Sequence, residues 1–567
     1  MKKNFLTKTL ALMLCAFTAI PMAACKEENV GVGGEAIDAN KTQLNVWHYF
    51  AGFRDEWLVE LKDNFEKAFA NVSFEDGKTG VQVHHRGEMK ADWTASSMAD
   101  SPYEVFFMEG PQNYLGIMAE GGVESLNSIM TTENADDNNQ TIEGKMTKQQ
   151  KDFYNYNGNY YGIPYYTGNY GIIYNRDLFD EKGFYLAETP NGPSILISSS
   201  NPTKSKGPDG KTGVIDGVDY SADDGLPTTY DEFFAFCAAI NKRGVDPIMV
   251  NGQHVDQYVT MLMDNLIANH DGLEQNTLNY TFDGTATNLV KIESGNVVLE
   301  NGKPATESMK IDATNAYNLA RQEGKYYAAS FIEKLLSNTD YFEEDIAENT
   351  SLSHTSCQQY FLQRGTSIDA SSKPCAMLID GTWWQMEATA TFDYMGSQNS
   401  AYSKENRKLG WMPLPQATAE EAAKIANGEK KTVYSDHLNA VSCVKSKLSE
   451  GVKKAALAFL QYAYTDESLA NFTYTTGAVV GMDYLDALDR SKLNYYETSL
   501  VDSIQNSDVV YQVPGCELYA KNVAKLRPAD KYGSGAHKTI VRGVWDGKLN
   551  AKDYFIGQQD YFKSLIW

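Results

Sequence analysis

The chain lacks the cysteine patterns that define metal sites and disulfide frameworks. It has seven cysteines in 567 residues, none of them in a CxxC pair, and two of the seven, Cys15 and Cys25, lie near the amino terminus. The remaining cysteines are odd in number and widely spaced, so the pattern indicates neither a zinc site nor a set of structural disulfides. At most, Cys357 and Cys375 could pair with each other.

Positive charge is also scarce. Lysine and arginine number 50 against 74 aspartates and glutamates, which gives a formal net charge of -24. A chain this acidic repels phosphate backbones and anionic lipid head groups, so we expect no nucleic-acid partner.

Motifs for cofactors and metals are missing as well. The fragment Gly210-Lys211-Thr212 resembles part of a phosphate-binding loop, but that loop needs a glycine where this chain has Ser205. The Asp-rich end of the same region, residues 216–224, lacks the spacing of the calcium-binding loop and favours a solvated turn. We therefore predict no cofactor and no metal.

The amino terminus has the layout of an export signal. Lysines precede an apolar run at residues 10–22 that is too short to span a bilayer, and the run ends in Met22-Ala23-Ala24-Cys25. This ending resembles the lipobox of bacterial lipoproteins, which implies that residues 1–24 are a signal peptide and that Cys25 becomes a lipid anchor outside the cytoplasm. An ordinary secretory signal with a coincidental cysteine is the alternative. Residues 25–42 are small, charged and without periodicity, and we interpret them as a flexible tether.

Strands and helices alternate along the chain after this tether. Residues 44–49, 81–86 and 104–108 have the alternation or apolar content of strands, and apolar residues at helical spacing follow the first strand at 54–69. A helix and a buried strand within residues 226–250 repeat the pattern farther along. This alternation predicts α/β lobes with parallel strands, and a ligand beyond the carboxyl ends of those strands.

An aromatic stretch at residues 160–179, YYGIPYYTGNYGIIYNRDLF, mixes strand-like residues with glycine turns and predicts a crossing between two lobes. Tyrosine rings stack on apolar C–H surface while their hydroxyls hydrogen-bond, so the stretch favours a sugar ligand, with tyrosines packed at a strand edge as the alternative. Residues 410–415 predict a second crossing, and residues 436–444 predict a strand that returns to the first lobe.

A second aromatic motif lies where the segment AMLIDGTWW breaks at Gly381. Two adjacent tryptophans point in different directions, so we expect one to face a cleft and the other to lie in the core. Trp383 is the favoured cleft residue because it lies nearer the break, which leaves Trp384 for the core.

Taken together, these segments resemble the extracellular solute-binding proteins of ABC importers, in the group like the maltose-binding protein. The segments that match do so in the family's order, and they are EVFF, YGIPYY with YNRDLF, LPTTYDEF, AMLIDGTWW, WMPLP, AALAFLQYAYTDE and VWDGKLNAKD. The resemblance implies an α/β, two-lobe fold of the periplasmic-binding-protein type, with hinge crossovers and a ligand cleft between the lobes. Residues 43–165 and 413–478 would form the first lobe, and residues 166–412 and 479–567 the second.

The resemblance also implies where the ligand lies. Contacts are expected at the ends of the first and third strands, in the crossover, at the GTWW turn and at the strand that re-enters the first lobe. The implied residues are Trp47, His48, Glu109, Tyr166, Asn169, Tyr170, Asp380, Trp383, Trp384, Asp436 and His437. Several maltose binders carry an aspartate shortly after the position of Glu109, where this chain has Pro111, which argues against maltose itself.

These features predict a lipid-anchored, monomeric, non-enzymatic protein that captures an oligosaccharide between two lobes and delivers it to the permease of an ABC importer. We expect neutral oligosaccharides to be preferred over anionic ones, because the chain is acidic and no arginine cluster marks the implied contacts. Two alternatives remain open. A secreted glycoside hydrolase would use carboxyls such as Glu109 and Asp380 on either side of one bond. A non-transport surface adhesin would bind polymer without closure of the lobes.

Overall fold

The computed structural model describes residues 30–50, 52–90, 92–109, 114–189, 192–195, 213–215, 218–220, 225–436, 440–511, 517–522, 539–565 and 567. The secondary structure is mixed, with 46% helix and 20% strand. Within the described ranges, no helix combines the length and the apolar character needed to cross a membrane. The predicted signal peptide with Cys25, the Gly210-Lys211-Thr212 fragment and His437 lie outside the described residues.

The larger sheets are built from strands that are widely separated along the chain. In chain order the strands are β1 (Thr42–Tyr49), β2 (Val81–Glu88), β3 (Val105–Met108), β4 (Ile163–Pro164), β5 (Tyr170–Asn175), β6 (Asp246–Met249), β7 (Cys375–Gly381), β8 (Leu409–Met412), β9 (Thr432–Asp436), β10 (Val441–Val444) and β11 (Ser507–Tyr511). Of these, β9 and β11 are not part of the larger sheets and form a separate parallel pair. Short two-stranded pairs occupy Asn155–Tyr156 with Asn159–Tyr160, Leu186–Thr189 with Gly192–Ile195, Gly213–Ile215 with Val218–Tyr220, Gly284–Val290 with Thr306–Ile311, Ile292–Glu293 with Asn296–Val297, and Leu299–Glu300 with Lys303–Pro304.

Helices cover the faces of both sheets. The first half of the chain contributes α1 (Glu56–Ala68), α2 (Ala95–Asp100), α3 (Tyr114–Ala119), α4 (Asn127–Met130), α5 (Ile142–Lys145), α6 (Lys148–Tyr154), α7 (Arg176–Lys182), α8 (Tyr230–Asn241) and α9 (Val255–Thr281). The second half contributes α10 (Glu323–Leu336), α11 (Glu344–Glu348), α12 (His354–Gln363), α13 (Trp384–Glu387), α14 (Thr389–Gln398), α15 (Ala419–Ala426), α16 (Glu450–Ala463), α17 (Asp466–Thr476), α18 (Tyr495–Gln505), α19 (Glu517–Asn522), α20 (Ile540–Trp545) and α21 (Ala551–Lys563).

The first sheet has the strand order β2-β1-β3-β10-β4. Strands β1, β2 and β3 are parallel, as the βα alternation predicts, and β10 returns antiparallel to β3. Leu44 and Val46 are fully buried while Gln43 and Asn45 are only partly covered, so the first half of β1 shows the period-two pattern of a strand with one apolar face.

The second sheet has the strand order β6-β7-β5-β8, in which β6 and β7 are parallel and β5 and β8 are antiparallel to their neighbours. All residues of β5 and β7 are buried. A strand buried on both faces is covered by helices on both sides, which explains its continuous run of apolar residues.

The chain passes between the sheets at closely spaced points. Between β4 and β5, the Thr167 amide donates to the Val479 carbonyl at 2.8 Å, and the Gly168 amide donates to Asp436 Oδ1 at 3.1 Å. Asn265 of α9 joins two crossings, because its Nδ2 donates to the Tyr170 carbonyl at 2.8 Å and its Oδ1 accepts from the Ser435 amide at 2.7 Å. Two sheets joined by several crossings confirm the predicted two-lobe α/β fold.

Two segments differ from what the sequence indicates. Residues 436–444 are predicted as one strand, but Asp436 ends β9 and residues 441–444 form β10, and these two strands belong to different sheets. Residues 30–41, part of the segment interpreted as a flexible tether, are held against β2 and α1, where Glu35 contacts His84 of β2 and Lys62 of α1. The assignment of residue ranges to the two lobes stays a prediction.

The cysteines of the described residues are free and buried. They are Cys237, Cys357, Cys375 and Cys443. Cys357 and Cys375 therefore do not pair, and burial raises the pKa of both thiols well above the ordinary value. They act as small apolar core residues.

Candidate functional site

The end of β7 brings Trp383 to the boundary between the lobes. A Cβ atom added at Gly381 would lie 2.3 Å from the Trp383 ring, so only glycine lets the indole fold back over the end of the strand. A Cβ atom at Gly52, in the loop after β1, would lie 2.8 Å from Cδ1 of the same indole. Trp383 is therefore contacted by backbone from both lobes.

Aromatic rings from the crossover and from α9 surround this indole. Tyr170 meets Trp383 edge to face, with ring centroids 5.0 Å apart and an interplanar angle of 90°. The ring centroids of Tyr258 and Tyr170 are 5.1 Å apart, and Gln257 Nε2 donates to the Tyr170 hydroxyl at 3.4 Å. Trp383 and Tyr170 are almost entirely buried in this arrangement.

Trp384 occupies a different environment. It is fully buried among Phe361, Phe392 and Tyr496, with ring centroids 5.6 to 6.0 Å away. Trp384 therefore lies in the core, while Trp383 lies at the lobe boundary; the prediction that Trp383 faces a ligand cleft stays a prediction. Their separate roles in binding and stability stay a prediction.

Two carboxyl groups share one amide beside the aromatic rings. Gln358 Nε2 donates to Asp380 Oδ2 at 3.1 Å and to Glu387 Oε2 at 2.8 Å. Asp380 Oδ1 also accepts from the Gly381 amide at 2.7 Å. Burial raises the pKa of both carboxyls, and the charge of Asp380 raises that of Glu387 further, since two like charges destabilise each other at short range.

Glu109 approaches the same place from the first lobe. It follows β3 directly and accepts a hydrogen bond from the Tyr165 hydroxyl at 3.0 Å. Burial raises its pKa to about 7, although hydrogen bonds with Tyr166 and Tyr165 lower it in part. Its charge contributes to the raised pKa of Glu387, so carboxyls from the two lobes influence each other across the boundary.

The crossover contributes buried polar and aromatic groups. Asn169 is fully buried, and neither its side-chain oxygen nor its nitrogen has a hydrogen-bond partner among the described residues. The backbone carbonyl of Asn169 accepts a hydrogen bond from the Thr382 amide at 2.9 Å, which holds Asn169 next to the GTWW turn. Tyr166 packs edge to face on Phe53 of the first lobe at 4.5 Å. Asp436 is fully buried and holds the crossover through the Gly168 amide.

The end of β1 is packed as a core. Trp47 is fully buried, its Nε1 donates to Glu88 Oε2 at 3.3 Å, and its ring meets Trp93 edge to face at 5.3 Å. His48 is also buried, and burial together with the charge of His85 lowers its pKa to about 4. A neutral imidazole results at pH 7. A direct contact of Trp47 or His48 with a ligand stays a prediction.

Sequence reasoning missed several residues of this site. Gln358 and Glu387 complete the carboxyl cluster, and Gln257 and Tyr258 complete the aromatic one. Glu387 had a usable signal, because it lies one helical turn after Trp383 and Trp384 and so shares their neighbourhood. Gln358 had none, since α12 reaches β7 only through the tertiary fold. Within the described residues, no group of three or more His, Cys, Asp or Glu side chains could hold a metal ion.

Comparisons with known proteins place this geometry in context. The family model described as "Bacterial extracellular solute-binding protein" matches residues 52–342. No curated protein sequence matches the chain.

Solved structures with low sequence identity share its fold. A chitin oligosaccharide binding protein has a TM-score of 0.53 at 15% identity, with 92% of this chain and 98% of that chain covered. The GacH receptor of Streptomyces glaucescens GLA.O, solved unliganded and with acarbose, has a TM-score of 0.50 at 12% identity, covering 93% and 98%. The cyclic alpha-maltosyl-1,6-maltose binding protein from Arthrobacter globiformis has a TM-score of 0.50 at 12% identity, covering 93% and 99%.

Proposed function

Because the chain belongs to the bacterial extracellular solute-binding protein family, we propose that it captures an oligosaccharide between its two lobes and delivers it to the permease of an ABC importer. It acts as a binding protein rather than as an enzyme. The ligand lies at the boundary formed by the GTWW turn, the crossover and the loop after β1.

The observation that carries this proposal is the position of Trp383. Its indole is contacted by both lobes and by Tyr170, and buried polar groups of Asn169, Asp380 and Gln358 lie around the same turn. An aromatic face beside convergent polar groups suits a sugar ring, which has apolar C–H faces and a hydroxyl rim. Opening of the lobes at the crossings would expose these groups to a ligand.

The solved structures support a saccharide as the ligand class. Their names refer to chitin oligosaccharide, to acarbose and to cyclic maltosyl-maltose. The raised pKa of Glu109 and of the Asp380–Glu387 pair agrees with this class, because buried carboxyls without a cation disfavour an anionic sugar. Neutral oligosaccharides are therefore preferred over uronates.

The protein is held at the outer face of the membrane through Cys25. A single acyl chain binds membranes only marginally, so stable attachment depends on the several chains that a lipoprotein cysteine carries. Replacement of Cys25 by serine should release the protein from the membrane fraction. A Cys25→Ser protein that stays in that fraction would show that another segment anchors it.

Calorimetric titration of the purified protein tests the function directly. Oligosaccharides of chitin, xylan, starch, cellulose and mannan type are titrated in turn, and a uronate oligosaccharide is compared with its neutral counterpart. We expect at least one neutral oligosaccharide to bind without being cleaved. Cleavage of a titrated oligosaccharide would favour the hydrolase alternative, and tighter binding of the uronate would contradict the preference for neutral ligands.

A further inference from the structure

Among the described residues, three carboxyls at the lobe boundary, two of them buried and one largely buried, have no lysine or arginine partner. Glu109, Asp380 and Glu387 accept hydrogen bonds from neutral groups, and no Lys or Arg of the described residues lies within ion-pair distance of them. A basic group among the described residues, His354, has its Nε2 3.7 Å from Glu387 Oε1. Burial and the neighbouring His254 lower the pKa of His354, which favours its neutral form.

The same chain supplies a cation where other carboxyls are buried. Lys145 lies between Asp137 and Asp466, forms an ion pair with each, and is 2.7 Å from the Asp466 oxygen. A buried carboxylate that keeps its charge costs several kcal/mol unless a partner compensates it. Within the described part of the chain, the carboxyls at the lobe boundary therefore lack the lysine that a comparable cluster of this protein has.

The side chain of Gln358 indicates which kind of ligand group could bind beside these carboxyls. Its side chain is fully buried, and its Nε2 donates to both Asp380 and Glu387, while its Oε1 accepts from no described residue. A buried carbonyl oxygen without a donor costs free energy, and it belongs to the amide that contacts two carboxyl groups, which only accept hydrogen bonds once they are ionised. All these oxygens could accept N–H donors from a ligand.

An ammonium group has the matching chemistry. It carries one positive charge and three N–H donors in a compact shape, so it can contact several acceptors at once. A hydroxyl group of a neutral sugar can donate only one hydrogen bond and cannot compensate charge. The geometry points to an amino-sugar ligand, and we propose that the site at Asp380, Glu387 and Gln358 binds the ammonium group of an oligosaccharide that contains glucosamine-type units.

This inference rests on the proposed function, since it names the chemical class of the oligosaccharide bound between the lobes. It also agrees with the raised pKa of Glu109 and Glu387, because a cation would stabilise their charged forms on binding. The net charge of -24 further favours a cationic ligand during encounter.

Three tetrasaccharides with the same β-1,4 backbone separate charge from shape. They are the glucosamine tetramer, cellotetraose and the N-acetylglucosamine tetramer, which differ only in carrying an ammonium, a hydroxyl or an acetamide group at C2. Titrations at about pH 6 keep the amino groups protonated. Because the raised pKa of Asp380 and of Glu387 leaves these carboxyls mostly protonated at that pH, binding of the ammonium group is accompanied by release of a carboxyl proton. We expect the glucosamine tetramer to bind about tenfold more tightly than cellotetraose, as a charge-assisted hydrogen bond warrants.

A Glu387→Gln variant tests whether this preference comes from the cluster. It keeps the shape of the side chain and removes the carboxyl that would ionise when the ammonium group binds, so it should weaken the glucosamine tetramer about tenfold and leave cellotetraose almost unchanged. Glu420→Gln is the matched control, because Glu420 is a carboxylate on α15 that is paired with Lys303. Asp380→Asn repeats the test independently, and thermal melts verify that each variant is folded.

The possible results are distinct. If the glucosamine tetramer binds no more tightly than cellotetraose, or fails to bind, the amino-sugar proposal is overturned. The proposal also fails if the preference persists in both Glu387→Gln and Asp380→Asn. In these cases the proposed function still stands as long as another oligosaccharide binds in the wider screen, whereas the absence of binding to any oligosaccharide would contradict the proposed function itself.

Discussion

The two sheets end at the lobe boundary in contrasting ways. At the end of β1, Trp47 is fully buried, its indole N–H is bonded to Glu88, and its ring packs on Trp93. At the end of β7, Trp383 lies between the lobes, and Gln358 has a buried oxygen with no partner among the described residues. Both ends hold buried polar atoms without a partner among the described residues, for example His48 Nε2 at the first and Gln358 Oε1 at the second. The difference lies in the rings: Trp47 packs within the first lobe, which indicates a role in stability, whereas Trp383 is contacted from both lobes, which indicates a role in binding.

The largest expected effect is a loss of stability when Trp47, at the end of β1, is replaced. Replacement of Trp47 by alanine should lower the free energy of unfolding by about 3 to 5 kcal/mol, because a large buried ring leaves a cavity. The affinity of the folded fraction for an oligosaccharide should stay unchanged. Urea unfolding and calorimetric titration measure the two quantities. A large loss of affinity at unchanged stability would show that Trp47 contacts the ligand, as the family resemblance implies.

Trp383 should behave in the opposite way. A Trp383→Ala variant loses ring burial and aromatic contact, worth about 3 kcal/mol together, so affinity should fall about a hundredfold. Its melting temperature should change much less than that of Trp384→Ala, the matched control from the neighbouring core position. Equal loss of stability in both variants, or unchanged affinity in both, would remove the tryptophan pair from the site.

The contrast between these tryptophans was accessible from the sequence, because Gly381 marks the point at which the strand breaks. Strands could also be predicted from the pattern of apolar residues. The buried strand predicted near residue 250 is β6, Asp246–Met249. The long helix α9, Val255–Thr281, was missed because its apolar period is weak and Gly272 interrupts it with a φ of 77°. Gln358 could not be predicted, since only the tertiary fold brings α12 beside β7.

The unpaired carboxyls predict a pH dependence. Burial raises the pKa of Glu109 from 4.5 to about 7, so the folded state holds its proton more tightly than the unfolded state does. The stabilisation is present below pH 4.5 and is lost as the pH rises through about 7, by up to about 3 kcal/mol for this group. Urea unfolding at about pH 5 and about pH 8 should therefore show a smaller pH-dependent loss in Glu109→Gln than in the wild type.

The control for this prediction is Glu420→Gln, which should follow the wild type in its loss of stability between the two pH values. Glu420 is exposed on α15 and is paired with Lys303. If Glu109→Gln loses as much stability as the wild type, Glu109 is not the source of the effect, and its carboxyl is accessible to solvent in the unliganded protein.

A paired carboxyl on the first lobe should show the opposite sign and the smallest effect. Partial burial raises the pKa of Glu35, but hydrogen bonds with His84 and Lys62 and the charge of Lys62 lower it to about 2. Its stabilisation is therefore present above pH 4.5 and is lost as the pH falls through about 2. Because 41% of the Glu35 side chain is exposed, solvent screens the interaction, and Glu35→Gln should cost less than about 1 kcal/mol at neutral pH. Urea unfolding at about pH 7 and about pH 3 measures this difference, which should shrink at the lower pH. A Glu35→Gln variant that gains stability at neutral pH would mean that the carboxyl is unpaired, and the contrast between paired carboxyls on the first sheet and unpaired carboxyls at the boundary would then fail.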